Sequence, residues 1–316
     1  MEQRFAMKQF KNEGALILCT LVWGGTFTAT KLSLVSVSPS LFLGIRFAIA
    51  SAVFLIYALL QKPTKEYREE AKQSRIWIPV LLGFWMFLGF ACQTIGLKFT
   101  TATKSGFLTG TLVVITPILQ TIFFRRIPNA GNLLGVIIVM LGLFFLSFDP
   151  EAGIGKLSFQ FHWGDVITIG GAFFFSLYIL LMDRVSREVS IQTLLLSQTL
   201  TTSILSFLLA LGLDYLGLET LMWHWETGVL PALIYNGLIS SVGTTFLQTK
   251  YQKAVTPTRA GLIFSLEPVF SAVIAYYTLG ERMQFVGLLG CGLVMTGVLF
   301  AELFGSSKER VTKKED

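Results

Sequence analysis

Apolar residues along this chain come in successive runs of roughly 20, each ended by charge, proline or glycine. Wound as a helix, such a run crosses a hydrocarbon core about 30 Å thick. The runs lack the strict apolar–polar alternation of a membrane β-barrel strand. The pattern therefore predicts an all-α integral membrane protein of ten transmembrane helices. The first five are expected near 14–34, 40–60, 76–97, 104–124 and 131–148, and the second five near 163–183, 191–212, 228–249, 257–279 and 284–304.

The two sets of five are related. At a constant offset of 155 residues, Gln93, Thr94, Lys98, Thr101, Thr103, Lys104 and Gly106 recur as Gln248, Thr249, Lys253, Thr256, Thr258, Arg259 and Gly261, and Gly135 and Gly142 recur as Gly290 and Gly297. A repeat of five spans is odd, so the second copy lies upside down relative to the first. Two inverted five-helix repeats, 14–148 and 163–304, are expected, with an N-terminal segment 1–13, an outer linker 149–162 and a basic tail 305–316. Exchange of conformation between inverted halves converts an outward-open cavity into an inward-open one, the logic of alternating-access carriers. Pro117 and Pro268 break the repeat, being four residues out of step; each is expected to bend its span, either lining a cavity with freed carbonyls or making a packing kink.

Composition sharpens this picture. Only 14% of residues are charged and 53% are hydrophobic, against about 25% charged in a soluble domain. The net charge of +6 would suit nucleic acid, but its distribution points instead to membrane orientation. With the N-terminus in the cytoplasm, 19 of the 25 basic residues fall on the cytoplasmic side, from Arg4, Lys8 and Lys11 through the loop holding Lys62, Lys65, Arg68, Lys72 and Arg75 to the tail. Lys31, Lys98, Lys104, Lys156 and Arg282 fall outside, and Arg46 falls within span two. Both termini are thus expected to be cytoplasmic, in a bacterial-type inner (plasma) membrane. The loop 214–227 holds no Lys or Arg but carries Trp223, His224 and Trp225, which suits an outer aromatic belt. The first run follows positive charge, as in a signal peptide, but it is too long and is read as an uncleaved helix.

Charged groups inside a membrane face a cavity or a partner, which singles out Arg46 and Glu267. Glu267 suits proton exchange or pairing with a cationic substrate; for both residues, structural pairing is the competing reading. Gln93, Asn236 and Gln248 are large polar groups deep in their spans, open to cavity lining or interhelical hydrogen bonding. Trp23 and Tyr178 lie mid-span, away from the interface where such aromatics anchor, as cavity walls or as core packing. Gly89, Gln93, Gly96 and Thr100 share one face of span three, and Gly131 with Gly135 forms a small-residue pair suited to close helix packing.

The chain resembles the EamA-type transporters of the drug/metabolite transporter superfamily over nearly its whole length. The resemblance rests on W-G-G-T-F at 23–27 followed by Lys31, on Arg46-Phe47, on T-T-A-T-K-S-G-F-L-T-G at 100–110, on L-E-P-V at 266–269 and on L-G-E-R at 279–282, taken in that order. It implies two inverted five-helix repeats around a central cavity, and movement of metabolites, amino acids or drug-like compounds without ATP. The first repeat departs from the pattern, because R-R-I-P at 125–128 stands where the second has G-E-R. A role for that acidic residue carries over to Glu281 alone.

Catalytic equipment is poor. His162 and His224, the two histidines, fall in outer loops beside tryptophans, and no zinc-protease or ATP-binding motif occurs. Cys19, Cys92 and Cys291 lie in apolar runs without metal-ligand spacing, so no metal and no cofactor is expected. A lipid flippase, and more remotely a channel, are the competing classes. A monomer would suffice, and a dimer stays open.

Overall fold

A computed structural model describes residues 2–60, 77–146, 163–281, 285–305 and 310–311. The expected basic loop Lys62 to Arg75, the linker 149–162 with Lys156 and His162, Arg282, and the tail residues Lys308, Lys313 and Lys314 lie outside the described residues.

The described chain is a helical bundle: α1 (Glu2–Ser33), α2 (Pro39–Leu60), α3 (Trp77–Lys98), α4 (Ala102–Phe124), α5 (Ala130–Leu146), α6 (Trp163–Val185), α7 (Ile191–Tyr215), α8 (Val229–Ala254), α9 (Pro257–Leu279) and α10 (Phe285–Phe304). Eight of these are long and apolar enough to cross a membrane, while α5 and α10 are shorter apolar helices. The protein is therefore a multi-pass membrane protein. Its outer faces carry exposed side chains such as Leu59, Ile122, Leu208 and Leu299, whereas serines, threonines, glutamines and Arg46 are turned inward. That distribution suits a lipid solvent, which offers no hydrogen bonds.

Three helices depart from regularity. α4 breaks at Thr111 and α9 at Ser265–Leu266. The repeat offset relates Thr111 to Leu266, so the breaks are equivalent although the prolines are not. A hydroxyl bond accompanies each break: Thr111 Oγ1 donates to the Leu108 carbonyl (2.6 Å) and Ser265 Oγ to the Leu262 carbonyl (2.5 Å). The same bond at Thr20 and Thr26 leaves α1 unbroken, so it is not sufficient by itself. Pro117 lies beyond its break, inside Leu112–Phe124, whereas Pro268 stands in the first turn after its own. The third departure is in α8, which widens to π-helical hydrogen bonding over Tyr235–Thr244.

Packing exchanges partners between the two halves. α3 and α6 run antiparallel, Gly96 against Gly164 and Thr168, and Gly89 against Gly171 and Phe175. α1 and α8 are likewise antiparallel, from Cys19 against the Thr244 carbonyl to Thr30 with Asn236 at 3.3 Å, and Trp23 donates to Thr244 at 2.8 Å. α2 opposes α7, where Ser203 donates to the Gly44 carbonyl and Phe54 meets Leu195. α1 and α9 instead run parallel, from Glu13 with Arg259 to Phe27 with Ala275. α4 and α6 reproduce that arrangement, from Lys104 with Asp165 to Thr116 with Ser176. Each half thus treats the other as the other treats it.

At the periphery α5 and α10 form an antiparallel pair in which Gly131, Gly135 and Gly142 lie against the partner backbone. A Cβ on Gly142 would stand 2.6 Å from the Val294 nitrogen and 2.7 Å from the Gly290 carbonyl, atoms that no rotamer change can move. Gly142→Val is therefore expected to destabilise the protein by about 1–3 kcal/mol, the usual cost of overpacking, read as a lowered melting temperature in detergent; the exposed neighbour Leu141→Val should leave it unchanged.

Candidate functional site

Between the two halves lies a cavity with about 580 Å³ of atom-free space, its open mouth included. The first half supplies Trp23 and Thr26 of α1, Arg46 and Phe47 of α2, Met86, Phe90 and Gln93 of α3, and Thr109 and Leu112 at the break in α4. The second supplies Phe175 and Tyr178 of α6, Ser241, Thr244 and Gln248 of α8, and Phe264 and Glu267 at the break in α9. Both broken helices thus contribute residues from either side of their breaks.

Arg46 is buried, 3% exposed, and is held by neutral groups. Its Nε donates to Ser241 Oγ at 2.7 Å and one terminal nitrogen donates to Ser240 Oγ at 3.0 Å. The guanidinium carbon stands 4.8 Å from the Phe90 ring centre and 5.2 Å from that of Phe47, within cation–π range. Two consecutive serines reach one guanidinium because α8 is π-helical here, and a wider turn splays successive side chains less than an α-helix does.

Glu267 is 7% exposed and opens the second segment of α9, where the helix N-terminus favours negative charge. Among the described residues none donates a hydrogen bond to its carboxylate and none forms an ion pair with it. Arg46 is its electrostatic counterpart on the cavity wall, without direct contact. A buried guanidinium hydrogen-bonded only to hydroxyls and a buried carboxyl group without a donor among the described residues therefore line one cavity.

The other expected site residues are placed as follows. Trp23 donates its Nε1 to Thr244 Oγ1 and meets Phe264 edge-on with ring centres 5.1 Å apart. Gln93 donates to Thr109 Oγ1 at 3.1 Å. Tyr178 donates to Gln198 Oε1 at 2.9 Å, and Gln198 passes the chain on to Thr249 at 3.0 Å. Gln248 donates to Gln252, which bonds the Ile179 carbonyl. All of these line the cavity. Asn236 does not: it donates to the Ala232 carbonyl, accepts from Thr30 Oγ1 at 3.3 Å, and ties α8 to α1. Reading by residue type missed Ser240, Ser241, Thr244 and the wall formed by Phe90 and Phe175. Serine, threonine and phenylalanine are too common in apolar spans to carry a signal, and the widened turn of α8 has no mark in composition.

A largely apolar cavity carrying a few polar and charged groups, set between the two halves of a membrane-spanning helical bundle, suits a membrane transporter. The chain belongs to the EamA-like transporter family, whose model matches residues 13–148 and 162–303. It is 28% identical over 297 residues to an uncharacterized transporter of Archaeoglobus fulgidus, covering 94% of this chain and 87% of that one. It is 22% identical to the uncharacterized transporter YoaV of Bacillus subtilis, covering 94% and 98%. A solved crystal structure superposes with a TM-score of 0.68 at 18% identity, covering 94% of this chain and 96% of that chain, which shows a shared fold.

The serine cradle gives a direct test. Replacing Ser240 and Ser241 together by alanine should leave the Arg46 guanidinium buried with its donors unmet, lowering stability by about 1–3 kcal/mol per lost partner. Adding Arg46→Met to that background should recover most of the loss, because a well-packed hydrophobe replaces an unsatisfied charge. Thermal melts in detergent read both effects.

Proposed function

We propose that the protein is a secondary transporter that carries a small organic solute through this cavity by alternating access. In this reading the eight long and two short helices make ten spans in two inverted five-helix repeats, 14–148 and 163–304, with both termini in the cytoplasm at the inner (plasma) membrane. The single observation that supports it best is that Arg46 and Glu267 line one cavity built by both halves. Antiparallel packing of α2 with α7 and of α5 with α10, and parallel packing of α1 with α9, are what ten alternating spans would produce.

The substrate class follows from the walls. Phe90, Phe175, Trp23 and Phe264 offer apolar and aromatic surface, and Gln93 and Gln248 offer amides. Glu267, without a donor of its own, is completed either by a cationic group on the solute or by a proton exchanged during transport. Metabolites or drug-like compounds with an apolar body and an amine fit these terms.

Two measurements test this. A melting screen of the purified protein against amino acids, sugars, nucleosides, vitamins and cationic drugs should find a compound that raises the melting temperature, since a ligand of the folded state alone stabilises it. That shift should vanish in folded Gln93→Ala; stabilisation by lipids alone would favour a flippase instead. Glu267→Gln is expected to keep substrate binding while losing the pH dependence of transport in proteoliposomes, and unchanged pH dependence would remove the proton role.

A further inference from the structure

Each broken helix carries an arm. Ala102–Gly110 in α4 and Pro257–Phe264 in α9 are short segments that begin at opposite ends of the bundle and stop at the breaks beside the cavity. Near the tip of each stands a cation at equivalent positions of the repeat, Lys104 and Arg259. Lys104 Nζ lies 2.7 Å from Asp165 Oδ2 at the start of α6, and Arg259 lies 3.0 Å from Glu13 Oε1 near the start of the apolar stretch Lys11–Ser33 of α1. Asp165 is fully buried, and the Arg259 and Glu13 side chains are 4% and 8% exposed. In both pairs the two partners come from different halves of the family match, 13–148 and 162–303.

A second contact repeats the pattern. Thr103 Oγ1 donates to Glu281 at 2.6 Å, and Thr258 Oγ1 donates to Gln120 at 3.2 Å. Thr103 and Thr258 are again equivalent, and each acceptor again belongs to the other repeat. Each arm is therefore held at its tip by an ion pair and a hydroxyl bond to the opposite half, and is joined at its root to a break that lines the cavity.

We propose that these arms are the two end closures of the cavity, latched by Lys104–Asp165 at one end and by Arg259–Glu13 at the other, and that transport releases one latch at a time. The proposal rests on the alternating-access reading above. Relative motion of the halves must part inter-repeat contacts at the end that opens. Separated charges are costly when buried but are hydrated once that end admits water. A solute touching Thr109 or Glu267 would act on the root of an arm whose tip carries the latch. Both latches are made together in this structure.

The test uses one reporter cysteine, Met86→Cys on the cavity wall, in a full-length chain whose Cys19, Cys92 and Cys291 are alanine. The chain is placed in right-side-out and inside-out vesicles and labelled with a membrane-impermeant maleimide from either face. Glu13→Gln should raise labelling from the Glu13 end relative to the other by about tenfold, the scale of a minor state made major. Asp165→Asn should shift the ratio the opposite way. The exchange Glu13→Arg with Arg259→Glu should return the parental ratio. If Glu13→Gln is not monodisperse, Thr258→Val, which removes only the hydroxyl bond, should shift the ratio in the same direction by a smaller factor. If the parental chain labels from both faces but the variants leave the ratio unmoved or shift it the same way, the latches fall and alternating access stands. If every form, the parental one included, labels from one face alone, alternating access itself falls and takes the latches with it.

Discussion

Lipid cannot hydrogen-bond, and that constraint orders the whole molecule. Every buried hydroxyl, amide or charge in the spans needs a partner within the protein, so the polar residues are drawn inward and toward one another. Thr116 finds Ser176, Tyr178 finds Gln198, and Arg46 finds Ser240 and Ser241. A few groups go without: among the described residues Thr28 Oγ1 and Ser105 Oγ are buried and unpartnered. Glu267 has no donor among the described residues, and of these groups it is the carboxyl that lines the cavity.

Packing between helices obeys a second rule of the same solvent. With no hydrophobic drive to press apolar helices together, contact depends on how closely backbones can approach. Gly89 and Gly96 on α3 meet Gly171 and Gly164 on α6, and glycines line the α5–α10 seam. The two seams serve different regions: α3–α6 borders the cavity, whereas α5–α10 stands apart from it.

Much of this was legible in the chain. The apolar runs located most helix ends to within a few residues, because a membrane span has a length fixed by the bilayer; α1 begins twelve residues before its expected start at 14, since a helix can continue into the polar region beyond the span. The repeat offset found the fourth and ninth helices as equivalents, and charge rarity singled out Arg46 and Glu267. What stayed hidden depended on geometry that no residue type announces. The prolines suggested bends at 117 and 268: α9 does break in the turn before Pro268, whose missing N–H cannot reach the Phe264 carbonyl, whereas α4 breaks at Thr111 and runs on through Pro117. Asn236 looked like Gln93 and Gln248, and only its position in the helix turned it toward Thr30 instead of the cavity. The pairing of Glu13 with Arg259 was hidden as well, because a sequence shows that a charge is near a span's end but not that another helix covers it.

The widened stretch of α8 has a consequence for how the duplication is used. Its counterpart α3 is an ordinary α-helix over Trp77–Lys98, so the two copies are out of phase in this region and nowhere along it can one be laid on the other turn for turn. The same stretch brings both serines to Arg46. The repeat offset relates Ser240 and Ser241 to Trp85 and Met86, so the second copy meets a guanidinium with hydroxyls where the first has an aromatic ring and a thioether. The slipped phase makes the vessel handed, and the cavity has no exact two-fold equivalence between its halves.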